Sequence, residues 1–398
     1  MLPGVSSEPP ASSYDVVIVG AGVQGLALAY ELCRRGVGSV AVLDRSWPGS
    51  GASGRNGEMI RSAFASTEWS RLFHHSLARW AGLSAELDYN ILFTPTGYLV
   101  LASTEEEIRR CQENAATHAR LGIDTEVLDA PTARRLLPAA SPDLVLGGLL
   151  QPRAGFAHHD AVVWAYLRAA ARLSAHIFPG VEVQAVQTAA GRATGVRTSL
   201  GPITAGAVVN AAGATAAQLN RTAGLTLPLI QARLEMIVTQ ALKPFLRYAV
   251  ASPQLLAYCH QTGRGEFVGG TELPCTDETP SLNASYDLLR DMARKWVRLF
   301  PGMAGVRLLR HWAGTVSQAP DLAPVLGAAP AIAQFYLTIG WVYGFMAAPG
   351  SADLLAEQIV TGRVSPLIEP FAAQRLLDGR LISESSLVVA ADSTPAGR

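Results

Sequence analysis

Asp15-Val16-Val17-Ile18-Val19-Gly20-Ala21-Gly22-Val23-Gln24-Gly25 is the stretch whose reading decides the fold of this 398-residue chain. Its first five residues are a short apolar run of the kind that makes a buried parallel strand. The run passes directly into G-x-G-x-x-G, and the spacing predicts a helix from Val23 to Arg35 with Leu26, Tyr30 and Cys33 on one face. A second apolar strand, Val40-Ala41-Val42-Leu43, ends in Asp44. Gly20 permits the tight turn, Gly22 lets backbone N–H groups approach a pyrophosphate, and Gly25 lets the helix lie close to the strand. The helix N-terminus turns its positive dipole end toward phosphates. Asp44, 19 residues after Gly25, is placed to accept hydrogen bonds from an adenosine ribose. Glycine pairs alone are common in loops. The whole order of strand, glycines, helix, strand and acid predicts a dinucleotide site, without choosing between nicotinamide and flavin.

Bulk properties narrow the class. A chain of this length predicts two domains, at ~100–200 residues each. Hydrophobic residues make up 49% and charged residues 16%, which supports a large core and sizeable buried interfaces. The formal net charge is zero, which argues against nucleic acid or an anionic membrane as main partner. The four cysteines, Cys33, Cys111, Cys259 and Cys275, form no C-x-x-C, so no metal site is expected and any iron–sulfur cluster belongs to another chain. Scattered single cysteines suit a reducing cytoplasm. Residues 1–13 lack the pattern of a signal peptide and read as a flexible arm. No apolar run approaches the ~20 residues that span a membrane.

Past Asp44 the chain enters a glycine-rich loop, Pro48 to Gly57, whose position directly after the nucleotide half-site favours a phosphate-wrapping nest over a plain surface loop. Helices are expected at 67–88, with Trp69, Leu72, Phe73, Leu77 and Trp80 on one face, and at 104–121. Ser103/Thr104 with Glu106/Glu107 resembles a capping box there. Asp160 is expected to N-cap a helix from Ala161 to Leu173. Strand patterning returns at 181–213 and includes the buried run Ala207 to Asn210. Short alternating runs at 226–318, with a helix at 285–299, read as a mostly antiparallel sheet facing substrate. Phe335 to Gly340, then Gly344 to Met346, then a helix from Ser351 to Val360 read as a return to the nucleotide domain.

The nucleotide unit, the Ala207-to-Gly213 segment and IGWVYGFM (339–346) together resemble the D-amino-acid-oxidase superfamily of FAD enzymes. Within it the chain is most similar to the β subunit of heterotetrameric sarcosine oxidase. The resemblance runs nearly end to end, through GRNGEMIRSAF (54–64), TPTGYLVLA (94–102), LRHWAG (309–314) and PFAAQRLLDGRLI (370–382). LLQPRAGFAHHDAVVWAYLRAA (149–170) is its most specific part.

The resemblance implies a Rossmann-like α/β FAD-binding domain (14–89, 150–225 and 319–398) and a second, mostly antiparallel α+β substrate domain (90–149 and 226–318). It implies oxidation of a secondary or N-methyl amino acid by hydride transfer to FAD, giving an imine that water hydrolyses. Gly20, Gly22, Gly25 and Asp44 then match the adenosine-pyrophosphate site, with Arg45 just beyond. Ser53, Arg55 and Asn56 match the loop lining pyrophosphate and flavin. Val183 matches a strand residue that meets adenine, and Gly213 closes against the cofactor. Gly340, Gly344, Phe345 and Met346 match the segment over the flavin's pyrimidine end. No cysteine lies near that segment in sequence, so the FAD is expected to be noncovalent.

Arg61 occupies the place of an arginine that grips the substrate carboxylate, a task suited to its planar fork. A surface arginine at a helix start is the bland alternative. Tyr258 matches a substrate-facing tyrosine, though a core aromatic accounts for it nearly as well. His260 is a lesser candidate; His311 and Trp312 precede Gly314, and Arg310 reads as structural as readily as functional. Met346 stands where sarcosine oxidases carry a lysine, which puts sarcosine itself in doubt. The change favours larger, more apolar amines such as proline-like acids or opines, and a dehydrogenase over an oxidase. By the same resemblance His159 matches a histidine that holds FMN, covalently or not, at the contact with an α subunit, while His158 replaces a frequent lysine. A pair of idle loop histidines is the alternative there. Electrons would pass from FAD to FMN and on to the α subunit or to small iron–sulfur or other acceptor subunits. The competing readings are a proline, hydroxyproline or opine dehydrogenase β subunit, a nicotinamide dehydrogenase, and a flavin-bound assembly subunit without catalysis.

Overall fold

The computed structural model describes residues 4–6, 8–271 and 281–385. Strand β1 (Ser13–Val19) pairs in parallel with β2 (Val40–Asp44) on one side and with the strand Gly201–Asn210 on the other. β2 pairs on with His176–Pro179, and Gly201–Asn210 with Phe335–Ile339, again in parallel. Val325–Ala328 closes that edge antiparallel. The alternation of β1 explains why so apolar a strand is needed. Val16 and Ile18 pack on one side of the sheet, Val17 and Val19 on the other, and both faces are covered. On the first face lie α1 (Val23–Arg34), α2 (Thr67–Trp80), the helix His159–Arg172 and the long helix Gly344–Thr361.

A second sheet of eight strands has the order Leu308–Gln318, Ile230–Ala241, Glu266–Thr271, Ala257–Gln261, Ala249–Ser252, Tyr98–Ala102, Gly147–Gln151, Glu126–Asp129. All its pairings are antiparallel except Ala249–Ser252 with Tyr98–Ala102. The helix Tyr286–Leu299 packs on it through Met292, Trp296 and Leu299. The two-residue strand β3 (Met59–Ile60) pairs with Gly155–Phe156. The fold is therefore the expected pair, a parallel α/β layer system and a mostly antiparallel sheet. Among the described residues no helix is long and apolar enough to cross a membrane.

Several boundaries move for physical reasons. The helix expected at 67–88 ends at Trp80; Ala81 and Gly82 break it before one further turn, Leu83–Glu86. The helix expected from Ser351 begins at Gly344 and runs through Pro349. Ser76 stands in at the weakened part of its ladder. Its hydroxyl donates to the Met346 carbonyl at 2.7 Å and accepts from Gly350 N, while Trp80 Nε1 donates to the same carbonyl at 2.9 Å. A Cβ on Gly350 would lie 2.8 Å from Ser76 Cα, so the pairing requires glycine there. Asp160 does not cap its helix, which starts at His159 behind His158; Asp160 sits exposed in the first turn. At 103–107 Thr104 caps the helix by accepting from Glu107 N, and Glu107 reaches back to Ser103 N, one residue ahead of the cap, a variant of the expected capping box. Ser6 exchanges hydrogen bonds with Ile177, so this part of the amino-terminal stretch lies along an outer strand.

One buried carboxylate joins α1 and α2. Glu31 is 1% exposed and receives Arg79 at 2.7 Å, together with Arg34 and Arg35. Arg35 and Arg79 also reach Asp353 on the long helix. Burial works against ionising Asp353, but His75, Arg35 and Arg79 outweigh it and hold the carboxyl well below its usual range. Replacing Glu31 by Ala removes the buried carboxylate that Arg34, Arg35 and Arg79 share, while Asp353 and Glu86 still face them. The expected loss is about 1–3 kcal/mol of unfolding free energy, read from the denaturant midpoint.

Candidate active site

A cleft of about 470 Å³ opens at the carboxyl ends of β1 and β2 and runs to the second sheet. At its outer end Asp44 closes β2. Its Oδ2 accepts from Ala21 N and its Oδ1 from Ser46 N, both at 2.8 Å, so the carboxylate is held in place by backbone. Arg45, Glu182, Val183, Gln184 and Gly213 line the cleft beside it.

The glycines set the approach. Gly20 has φ +115° and a Cβ there would lie 2.3 Å from the Ala211 carbonyl oxygen. A Cβ on Gly25 would lie 2.0 Å from the Gly20 oxygen, so Gly25 serves helix–strand contact and does not line the cleft. Gly22 does line it, and Ser53 Oγ accepts from Val23 N at 2.9 Å across the start of α1. The loop at 48–57 is ordered by its own side chains. Arg55 donates to the Gly51 carbonyl, Asn56 Nδ2 to the Ser53 carbonyl, and Asn56 Oδ1 accepts from Glu58 N. Ser53, Arg55 and Asn56 all face the cleft. A helix N-terminus, a hydroxyl and an arginine are donors suited to a pyrophosphate, and the carboxylate of Asp44 is an acceptor suited to a ribose.

At the inner end the segment Gly340 to Met346 lines the opposite wall. Gln24, inside the glycine motif, holds it. Its Nε2 donates to the Gly344 carbonyl at 2.7 Å, and its Oε1 accepts from Thr338 and Ser351, each at 2.9 Å. Trp341 Nε1 completes the chain by donating to Thr338 Oγ1.

Arg61 lies 3% exposed at this inner end. Its Nη1 donates to the Ala63 carbonyl at 2.7 Å, and its guanidinium carbon stands 4.0 Å from the Phe64 ring centre, 5.3 Å from Tyr98 and 5.8 Å from Tyr343. Tyr258 faces the same space, its hydroxyl donating to Met236 Sδ at 2.9 Å. Met346 lines the cleft as well. Arg61, Tyr258, Met346 and the glycine motif, far apart in sequence, thus share one cavity. Gln24, Tyr98, Met236 and Tyr343 were not singled out from sequence. Gln24 lies within the glycine motif, Tyr98 within 94–102 and Tyr343 within 339–346, while Met236 lies in none of the quoted motifs.

His159 stands outside the cleft and is joined to it through Glu58, a lining residue with φ +63°. His159 Nδ1 lies 2.6 Å from Glu58 Oε1, and its backbone N–H donates to the same oxygen at 3.2 Å. That second bond supplies the helix start that Asp160 leaves uncapped. His260 Nε2 stands 3.3 Å from Glu58 Oε2, within ionic reach though not aligned for a hydrogen bond. Burial works to raise the Glu58 pKa, but His159 and His260 outweigh it and hold it well below the carboxylate range. Burial likewise works to lower the His159 pKa, but Glu58 and Asp160 outweigh it and raise it. Glu58, His158 and His159 bring ligand-type atoms within 4.8 Å of one another.

Residues 15–358 match the model of the FAD dependent oxidoreductase family. Sarcosine oxidase subunit beta of Rhodobacter capsulatus is 33% identical over 388 residues, covering 96% of this chain and 92% of that protein. Its counterpart from an Arthrobacter species is 34% identical and covers 94% of each. Among solved structures, L-proline dehydrogenase from P. horikoshii superposes with a TM-score of 0.90 at 28% identity, covering 94% of this chain and all of that one. Glycine oxidase from Geobacillus kaustophilus gives 0.83 at 25% identity, covering 92% and 99%. With its dinucleotide motif at the mouth of the cleft and a buried arginine at the far end, the chain belongs to the FAD dependent oxidoreductase family.

Proposed function

We propose that this flavoenzyme oxidises a secondary or N-methyl amino acid at its CH–NH bond and works as the β-type subunit of a larger assembly. The observation that carries the reading is Arg61, buried beneath aromatic rings at the inner end of an FAD cleft. FAD bound there supplies the two-electron acceptor for the substrate C–H bond, and the imine product hydrolyses in water. Gly20, Gly22, Asp44, Arg45, Ser53, Arg55, Asn56, Val183 and Gly213 would hold its adenosine and pyrophosphate. Gly25 would act through the helix contact. Gly340, Gly344, Phe345 and Met346 would border its ring. Retention without a covalent link is supported by Cys33, Cys111 and Cys259, none of which lines the cleft; Cys275 lies outside the described residues.

Arg61 has one N–H spent on the Ala63 carbonyl, which orients the fork toward a substrate carboxylate. Tyr98, Tyr258 and Tyr343 wall the space and keep water from the reacting bond. Met346 brings an apolar side chain where a lysine would bring charge. That supports larger, more apolar secondary amines, with proline, hydroxyproline or opines as the alternative substrates and dehydrogenation as the mode. The β-subunit names of the relatives support an α subunit, and iron–sulfur or other acceptor subunits would take the electrons onward. His159 would hold FMN at that contact, with Glu58 between it and the FAD cleft. Unpaired thiols suit a reducing cytoplasm.

The reading is tested by adding amino acids to the oxidised protein under anaerobic conditions. Bleaching of the FAD band by a secondary amino acid is expected; no bleaching with any amino acid would sink catalysis and leave an assembly role. Turnover on sarcosine above that on proline-like and opine substrates would overturn the preference drawn from Met346. Arg61→Ala should lower kcat/KM by about 100-fold, ~3 kcal/mol, with the flavin spectrum unchanged. Gln24→Leu unties the Gly344 carbonyl and should raise the FAD dissociation constant by roughly ten- to a hundredfold, measured by flavin-fluorescence titration of the apoprotein. Denaturing the purified complex should release FAD; flavin left on the peptide that carries His159 would mark a covalent FMN.

A further inference from the structure

His159 is set apart by having its two ring nitrogens in different worlds. Nδ1 points inward to Glu58, which is buried at 7% exposure. Nε2 points to the surface, 3.4 Å from Asp160 Oδ1, whose side chain is 60% exposed. A carboxylate held ionised can only accept, so a nitrogen 2.6 Å from it carries the proton. The backbone that carries Glu58 is held in place. Its N–H is held by Asn56 Oδ1, its carbonyl accepts from Ala157 N at 2.9 Å, and its backbone sits in the left-handed region.

We propose that Glu58 is a positioning residue that commits His159 to the Nδ1–H form, so that Nε2 is the nitrogen presented at the protein surface to a planar heteroaromatic ligand. The ligand class rests on the reading of His159 as an FMN contact; the assignment of Glu58 rests on the geometry alone. When the imidazolium loses a proton, it loses it from Nε2, because Nδ1–H stays bonded to an anion. The titratable and charged groups around the ring come from four places. They are Glu58 ahead of β3, Asp160 and His158 on the ring's own helix, His260 on the second sheet, and Arg310 on the strand Leu308–Gln318. Glu58 and Asp160 favour the charged ring, and Arg310 opposes it. The stability His159 adds is therefore complete below an unfolded pKa of ~6.5 and is lost as pH rises through its raised native value. Glu58 also lines the FAD cleft, so one residue borders both sites.

The test uses the full chain labelled with ¹⁵N-histidine, His159 being identified by the signal missing from His159→Gln. The expected spectrum has a protonated Nδ1 and, at high pH, a bare Nε2. In Glu58→Gln the titration should move to lower pH, and acylation of His159 by diethyl pyrocarbonate at pH 7 should quicken by about tenfold. His260→Gln keeps the Glu58–His159 contact and should leave the tautomer unchanged. A protonated Nε2 with a bare Nδ1 in the unaltered chain would overturn the proposal, and this needs no variant to fold. An unmoved titration in a folded Glu58→Gln would overturn it as well. The FMN content of the native complex is measured separately. The expected tautomer in a complex without FMN upholds Glu58 and discards the flavin reading, while FMN bound with the opposite tautomer does the reverse.

Discussion

The hydrogen bond from Gln24 to the Gly344 carbonyl is the tie on which the cleft depends. It joins residues 320 positions apart and brings the start of α1 against the start of the long helix Gly344–Thr361. Both helix starts then border one cavity. The amide is fully used, since Thr338 and Ser351 fill its oxygen. A buried polar group is stable only when it is so satisfied, and then it specifies a single arrangement. Neither wall of the cleft is built to stand without the other. The apolar layers of the parallel sheet hold the helices in contact, and this small polar cluster decides their registration.

Buried carboxylates organise the rest. Glu31 gathers Arg34, Arg35 and Arg79 behind the sheet, far from the chemistry. Glu235, also fully buried, takes His311 at 2.7 Å and both of its oxygens accept from Ser285 N, which seats the helix Tyr286–Leu299. Glu58 does the same work between the cleft and His159. In each case a charge removed from water is paired on more than one side, the condition under which burial is tolerated. The three sites differ in what the partner does. Glu31 meets permanently charged arginines, while Glu58 meets the rings of two histidines.

Much of the nucleotide site was legible because its requirements are local. Gly20, Gly25 and Asp44 answer to backbone approach and to a strand end, and these are read from a run of thirty or so residues. Arg61 was found through resemblance, and its burial among Phe64, Tyr98 and Tyr343 could not be read from the chain. The helix expected from Ser351 starts earlier, at Gly344; Pro349 weakens the ladder there, and Ser76 and Trp80, from another helix, supply what it lacks. Asp160 has the residue type of a helix cap, but His158 holds that position. Glu58 does that task from 101 positions away, a distance at which propensity is silent.

The sequence by itself determined that a dinucleotide binds, that a parallel sheet carries it, and which loops and strands flank it. Those properties follow from hydrophobic period, glycine placement and charge over short spans. Only the tertiary structure decided which side chains meet. It placed Gln24 on Gly344, Arg61 under three aromatic rings and Glu58 on His159. The reason is that close packing converts a few buried polar pairings into fixed geometry, and those partners are chosen by the fold and not by nearness along the chain.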